Sequence, residues 1–294
     1  MIYICVLNYK NPEDTIACCD SIFKLYERNF CILLVDNASP DDSKNILGEY
    51  VKKGVGNIKF FPLAKNLGYA GGNNMALRYA MKQSDFDYAW ILNNDTLVAP
   101  DSLGWLIQYM ENHPKVGLCG SKLIYDWDRS KLQGYGGIYN PYYGIAKNCQ
   151  DINNIKNIDY VIGASVFIRP SFLEKVGLMS EEYFLYYEEL DWSMRAKGKF
   201  LIGCEPRSIV YHKEGASIGT NGLHPEKKSE LADYYGIRNR LLFTRKFFPK
   251  YLPMIYLSTI GILWNRFRRH QYKRIWIFIK LLLGITTKRF ENLI

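Results

Sequence analysis

The sequence predicts an α/β fold: a mostly parallel sheet flanked by helices, followed by a helical tail that associates with a membrane surface. Three observations carry this. Through the first 120 residues, short continuous apolar runs alternate with amphipathic stretches, the pattern of strands buried on both faces and joined by crossover helices. Two of those runs end at an acid or close before one, and open parallel sheets bind ligands beyond the carboxyl ends of their strands. The charge is also uneven. Residues 240–294 hold twelve Lys and Arg against one acid, more than the whole net charge of +9, so residues 1–239 are slightly acidic.

The elements follow in order. Ile2–Leu7, Cys31–Val35, Ile58–Phe61, Tyr88–Leu92 and Val116–Gly120 read as strands. Pro12–Tyr26, Asp41–Lys53, Asn73–Gln83 and Pro100–His113 have helical spacing, with Ile16, Cys19, Ile22 and Phe23 on one side of the first. Beyond residue 120 the pattern loosens. Gly134–Gly144 reads as a Gly/Tyr/Pro loop, Tyr160–Ile168 as a strand and Pro170–Val176 as a short helix. Tyr183–Ala196 reads as an aromatic-acidic helix, Phe200–Gly203 and Ile209–His212 as two strands, Lys213–Lys228 as a loop and Leu231–Phe247 as a helix. The organisation is a main domain over residues 1–249, with halves at 1–120 and 121–249, and a basic, apolar tail over 250–294.

Composition excludes several classes. The phosphate-neutralising charge of a nucleic-acid groove is absent from the main domain. Seven cysteines with no C-x-x-C pair point to a reducing compartment. Met1 to Tyr9 lacks a basic leader and reads as a first strand rather than a signal peptide. The tail's apolar stretches, Pro253–Trp264 and Ile275–Ile285, are each well short of the about 20 residues that span a bilayer. Arg266, Arg268, Arg269, Lys273 and Arg274 divide them, so the tail is expected to lie flat on an anionic surface. Packing on the main domain, or in a homo-oligomer, is the alternative.

No G-x-G-x-x-G follows the first strand, which disfavours a dinucleotide-dependent oxidoreductase. Asn8-Tyr9-Lys10-Asn11-Pro12 stands where a sugar-nucleotide pyrophosphorylase needs a glycine-rich basic loop. The acids are more telling. Asp36 stands at one strand end and Asn93-Asn94-Asp95 at another; Glu188, Glu189 and Asp191 cluster near a helix start, and His212 ends a late strand. Spacing of three places Glu188 and Asp191 on one helix face. A hard divalent cation takes oxygen ligands and tolerates imidazole, and an acceptor hydroxyl needs a carboxylate or imidazole base. Taken singly, Asp36 is equally a turn or cap residue, the helix acids a solvated face, and His212 a structural histidine.

Taken together and in order, these segments resemble the inverting family 2 glycosyltransferases of the GT-A fold, over roughly residues 1–250. They are Val35-Asp36-Asn37-Ala38-Ser39, the run Asn66 to Asn74, Leu92-Asn93-Asn94-Asp95, Gly163-Ala164, Phe184 through Arg195, and Tyr211-His212-Lys213 with Ser217. Within the family the chain looks most like bacterial rhamnosyltransferases and related enzymes of polysaccharide assembly. The resemblance implies that Asp36, Asn8 and Tyr9 contact the donor nucleoside, that Asn66, Gly71 and Gly72 line its pocket, and that Asn94 and Asp95 meet the diphosphate. It implies Mg²⁺ or Mn²⁺ on Asp95 and His212, Glu189 as general base, and Glu188 and Asp191 as positioning acids. It further implies a nucleoside-diphosphate sugar donor (dTDP-rhamnose first, UDP-sugars next), a glycan or lipid-linked acceptor, and work at the inner face of the cell membrane. Two residues depart from the family pattern: Asn93 replaces the first acid of D-x-D, and Glu188–Glu189 replaces the usual E-D pair. A scaffold with a decayed site is the non-enzymatic alternative.

Overall fold

The computed structural model describes residues 1–54, 56–214 and 229–282. The first half delivers the expected alternation: β1 (Ile2–Asn8), α1 (Pro12–Ile22), β2 (Phe30–Asp36), α2 (Ser43–Lys52), β3 (Ile58–Pro62), α3 (Gly68–Ala80), β4 (Tyr88–Asn93), β5 (Thr96–Val98), α4 (Ser102–Asn112) and β6 (Val116–Tyr125). Then come β7 (Leu132–Gly134), β8 (Gly137–Asn140), β9 (Ile145–Asn148), β10 (Ser165–Ile168), α5 (Pro170–Val176), α6 (Glu188–Ala196), β11 (Leu201–His212), α7 (Glu230–Phe247), α8 (Leu252–Arg268) and α9 (Tyr272–Leu282).

The main sheet runs β3-β2-β1-β4-β10-β6-β11-β5, with β7 on the edge of β6, and it crosses residue 120 without a break. β1 to β4 are parallel, as is β11 against β6. β10 lies antiparallel between β4 and β6, so the sheet is mixed. Alternation in β1 explains why its whole run is apolar. Ile4 and Val6 pack with Cys18, Ile22, Leu47 and Leu106 of α1, α2 and α4, while Tyr3 and Cys5 pack with Ala76 and Leu77 of α3 on the other face. All seven cysteines are buried and unpaired.

Four expectations need correction. α3 begins at Gly68, not Asn73, because its glycines serve close packing. A Cβ on Gly72 would stand 2.4 Å from Leu7 Cδ1, and one on Gly68 2.4 Å from the Phe184 carbonyl oxygen. Glycine's poor helix propensity hides such a start from a sequence reading. The two late strands are one, β11, with a register shift between Glu205 and Ile209, where Pro206 lacks a ladder donor. The Gly134–Gly144 loop contains β8, paired with β9 as a hairpin. The aromatic-acidic helix starts only at Glu188, since Phe184, Tyr186 and Tyr187 have φ of 60°, 68° and 76°.

The tail folds back. α8 and α9 pack on α7 through Ile237, Leu241, Ile255 and Phe278. Asp233 of α7 accepts Arg266 (2.7 Å) and Arg274 (3.0 Å). No described helix is long and apolar enough to cross a membrane. Residues 215–228 and 283–294, which include Ser217 and the tail's end, lie outside the described residues.

Candidate active site

A cavity of about 600 Å³ opens beyond the carboxyl ends of β1, β4 and β11. Tyr9, Asn66, Asn94, Asp95, Glu188, Glu189 and His212 all reach its wall. The chain thus brings together residues from five separate segments, as parallel-sheet geometry requires.

Asn8, Asp36, Gly71 and Gly72 are not on that wall. Asp36 is buried beneath it: Oδ1 accepts from Asn8 Nδ2 (2.7 Å) and Ser39 Oγ (2.6 Å). Asn8 Oδ1 accepts from Thr15 (2.8 Å), and Asn94 Nδ2 donates to Thr15 (3.0 Å). This network fixes the β1, β2 and β4 ends relative to one another. Gly71 and Gly72 face Leu67 and Leu7, so their smallness serves helix-on-strand packing. Asn66 Oδ1 accepts from Asn37 Nδ2 (2.9 Å) and from the Gly68 amide (2.8 Å), tying the β2 and β3 loops together.

His212 Nε2 lies 3.2 Å from Asp95 Oδ1, and both are buried. His212 Nδ1 faces Gln133 Oε1 at 2.9 Å. The two ring nitrogens are thus held between an amide and a carboxylate, which fixes the orientation of the imidazole plane. A carboxylate oxygen and an imidazole nitrogen side by side suit a shared cation. Among the described residues no group of three or more His, Cys, Asp or Glu could hold a metal ion, so Asp95 and His212 alone do not complete a coordination shell.

The acidic helix start splits by direction. Glu188 is buried and its Oε2 has no hydrogen-bond partner among the described residues. Glu189 is half-buried, receives the Gly163 amide, and sits where a Cβ on Gly163 would be 1.9 Å from its Oε1. Burial raises both carboxyls; Glu188 rises well above the ordinary range, helped by the neighbouring Glu189 charge, and Glu189 rises to about 6. Asp191 does not join them. It takes Arg195 Nε (2.6 Å), Lys246 Nζ (2.7 Å) and Tyr183 Oη (3.0 Å) and is off the cavity wall. Three helical residues turn the side chain by about 60°, which at a cavity rim sends one acid inward and the other against α7. Its role is to anchor α6, since Arg195 also donates to the Val176 and Leu178 carbonyls.

The sequence reading missed Lys10, Asn37, Tyr69 and Gln133, all on the wall. Tyr69 Oη donates to the Gly163 carbonyl (2.6 Å), holding the turn against which Glu189 rests. Gln133 comes from a three-residue strand too short to leave a periodic signal.

A mixed sheet with helices on both faces and a carboxylate-rich cleft at its strand ends matches the GT-A fold. The chain belongs to glycosyl transferase family 2, whose model matches residues 2–176. It is 24% identical over 271 residues to the low-salt glycan biosynthesis hexosyltransferase Agl10 of Haloferax volcanii, covering 88% of this chain and 80% of that one. It is 25% identical over 235 residues to the dTDP-rhamnosyl transferase RfbF of Shigella flexneri, covering 76% and 74%. Among solved structures, the mannosyltransferase PcManGT of Pyrobaculum calidifontis, in complex with GDP-Man and Mn²⁺, superposes with a TM-score of 0.58 at 13% identity over 96% of this chain and 74% of that one. The protein is therefore a family 2 glycosyltransferase.

Proposed function

We propose that the chain transfers one sugar, with inversion, from a nucleoside-diphosphate sugar to a hydroxyl of a glycan or lipid-linked acceptor. The observation that carries this is the Glu188–Glu189 pair, two carboxyls on one cavity wall with burial pushing both upward. Environments that separate two carboxyls assign an acid and a base. Glu189, held by the Gly163 amide, accepts the proton of the acceptor hydroxyl as that oxygen attacks the anomeric carbon. The bond to the diphosphate breaks on the opposite side, so the configuration inverts. Glu188, kept protonated, offers its unpartnered oxygen to a substrate oxygen. Asp95 and His212 fit a divalent cation, Mg²⁺ or Mn²⁺, which when bound offsets the charge of the diphosphate. Tyr9, Lys10, Asn37 and Asn66 form the end of the cavity suited to the nucleoside. The RfbF likeness favours dTDP-rhamnose as first donor and UDP-sugars next.

The tail supports a place at the inner face of the cell membrane. Leu257, Ile260, Trp264 and Phe267 are 51–62% exposed and share one face of α8. Asp233 takes Arg266 and Arg274, whereas Arg268, Arg269 and Lys273 are exposed at the end of that stripe, and residues 252–282 contain no acid. A second copy docked about a two-fold axis would meet this cationic rim with its own, whereas anionic lipid complements it.

The deciding experiment is Glu189→Gln, assayed by release of nucleoside diphosphate from a panel of dTDP-, UDP- and GDP-sugars with Mn²⁺. Turnover is expected to fall at least ~100-fold with donor affinity retained. Wild-type rates in both Glu189→Gln and Glu188→Gln would overturn the assignment.

A further inference from the structure

The segment that delivers Glu188 and Glu189 to the cavity is held in an unfavourable conformation. Phe184, Tyr186 and Tyr187, none of them glycine, have positive φ. Left-handed backbone at bulky residues persists only where surrounding structure over-determines it. Such a run also turns its carbonyls out of any helical ladder, and each must find a donor.

α7 supplies most of those donors from one residue. Asn239 Nδ2 donates to the carbonyls of Tyr183 (2.8 Å), Leu185 (2.7 Å) and Tyr186 (3.1 Å). The Phe184 carbonyl is taken by the Tyr69 amide (2.8 Å), and that of Glu182 by Arg238 Nη1 (2.9 Å). Arg238 Nη1 also donates to Asn239 Oδ1 (2.7 Å), which fixes the amide's orientation. Asn239 is fully buried, and it stands between Tyr235 and Phe243 at four-residue spacing on the otherwise apolar face of α7. A polar residue in that stripe is costly unless all its hydrogen bonds are made, and here they are.

We propose that Asn239 is the positioning residue of the active site: its side-chain amide clamps residues 183–186 so that α6 starts with Glu188 and Glu189 aimed into the cavity. The inference rests on the proposed role of that pair. Asn239 is not itself on the cavity wall; it holds Leu185 and Tyr186, which are, and so acts through that segment. Lys246, two turns along the same helix, secures α6 from Asp191 and complements the clamp. The catalytic pair is thereby registered against a helix outside the matched family region of residues 2–176.

The test compares Asn239→Leu, which keeps the branched shape and removes the donors, with Asn239→Gln, which moves the amide by one methylene. Three readouts are taken on the full-length protein: donor turnover with Mn²⁺, nucleotide-sugar affinity by calorimetry, and hydrogen–deuterium exchange of the peptide covering residues 183–189. The expected result for Asn239→Leu is a kcat loss of ~100-fold, donor affinity within about threefold of wild type, and faster exchange confined to that peptide. Asn239→Gln should fall between, and it carries the comparison if Asn239→Leu does not fold. Native exchange in residues 183–189 with wild-type kcat would overturn the proposal, as would a lower melting temperature with unchanged specific activity. If the wild type turns over no donor while the exchange of 183–189 still rises in the variant, the clamp stands and the assigned reaction fails.

Discussion

Gly163→Ala tests the catalytic geometry with one methyl group and no change of charge. Gly163 has a backbone conformation open to any residue, so the substitution adds no φ strain. The new Cβ would lie 1.9 Å from Glu189 Oε1 and 3.0 Å from the Tyr69 hydroxyl, where ordinary contact begins near 3.4 Å. Glu189 is the far end of a flexible side chain, so the carboxylate gives way rather than the backbone. The displacement is about 1.5 Å, and a misplacement of about 1 Å in a reacting group costs roughly 10²-fold in rate. That corresponds to about 2.7 kcal/mol of transition-state stabilisation. Stability should change little, because the turn keeps the Tyr69 bond to the Gly163 carbonyl. The assay is single-turnover release of nucleoside diphosphate at saturating donor, with thermal unfolding in parallel. A kcat within threefold of wild type in a natively stable variant would refute the claim that Glu189 acts from this position. A loss of donor affinity equal to the loss of rate would show that the cavity, not the base, had been disturbed.

The acid limb of kcat should lie near pH 6, since burial raises Glu189 to about 6 and only its ionised form accepts a proton. Burial also holds the Glu188 carboxyl well above its ordinary range, so ionisation works against the fold as pH rises past that range, and Glu188→Gln should melt higher than wild type at pH 8 and no higher at pH 4; equal differences at both pH values would contradict it. Asp95→Ala and His212→Ala should each abolish Mn²⁺-dependent donor binding by calorimetry, and full activity in excess chelator would remove the metal from the scheme. Trp264→Ser with Leu257→Ser should lower sedimentation with phosphatidylglycerol vesicles at low salt without altering turnover; undiminished sedimentation would show that α8 is not the docking face. Removing residues 250–294 should destabilise the main domain, because Ile255 and Phe278 cover Ile237 and Leu241 of α7, whose exposure costs roughly 1.5–3 kcal/mol per side chain; an unchanged melting temperature would show the tail to be a separable appendage.

The sequence by itself determined the layer architecture and the order of the site. Apolar runs such as Cys31–Val35, five residues long and alternating with helical stretches, read as strands covered on both faces, and strand-end residues such as Asp36 and Asp95 follow from where those runs stop. Periodicity is a local property, so it survives without knowledge of partners. What tertiary structure decided is which way the named side chains face. Asp36 is closed over by Asn8 and Ser39, Gly71 and Gly72 pack on Leu67 and Leu7, and Asp191 turns to Arg195 and Lys246, though all three sites lie in segments the sequence marked. Helical spacing reports an angle about one axis and cannot say what stands at that angle. The positive φ angles at Phe184, Tyr186 and Tyr187 were invisible because no glycine announces them; most of the donors that hold this segment come from Asn239, more than fifty residues away. Only Asn239 itself left a trace in the chain: an amide in the apolar stripe of Tyr235 and Phe243, whose reason exists only once α7 meets the start of α6.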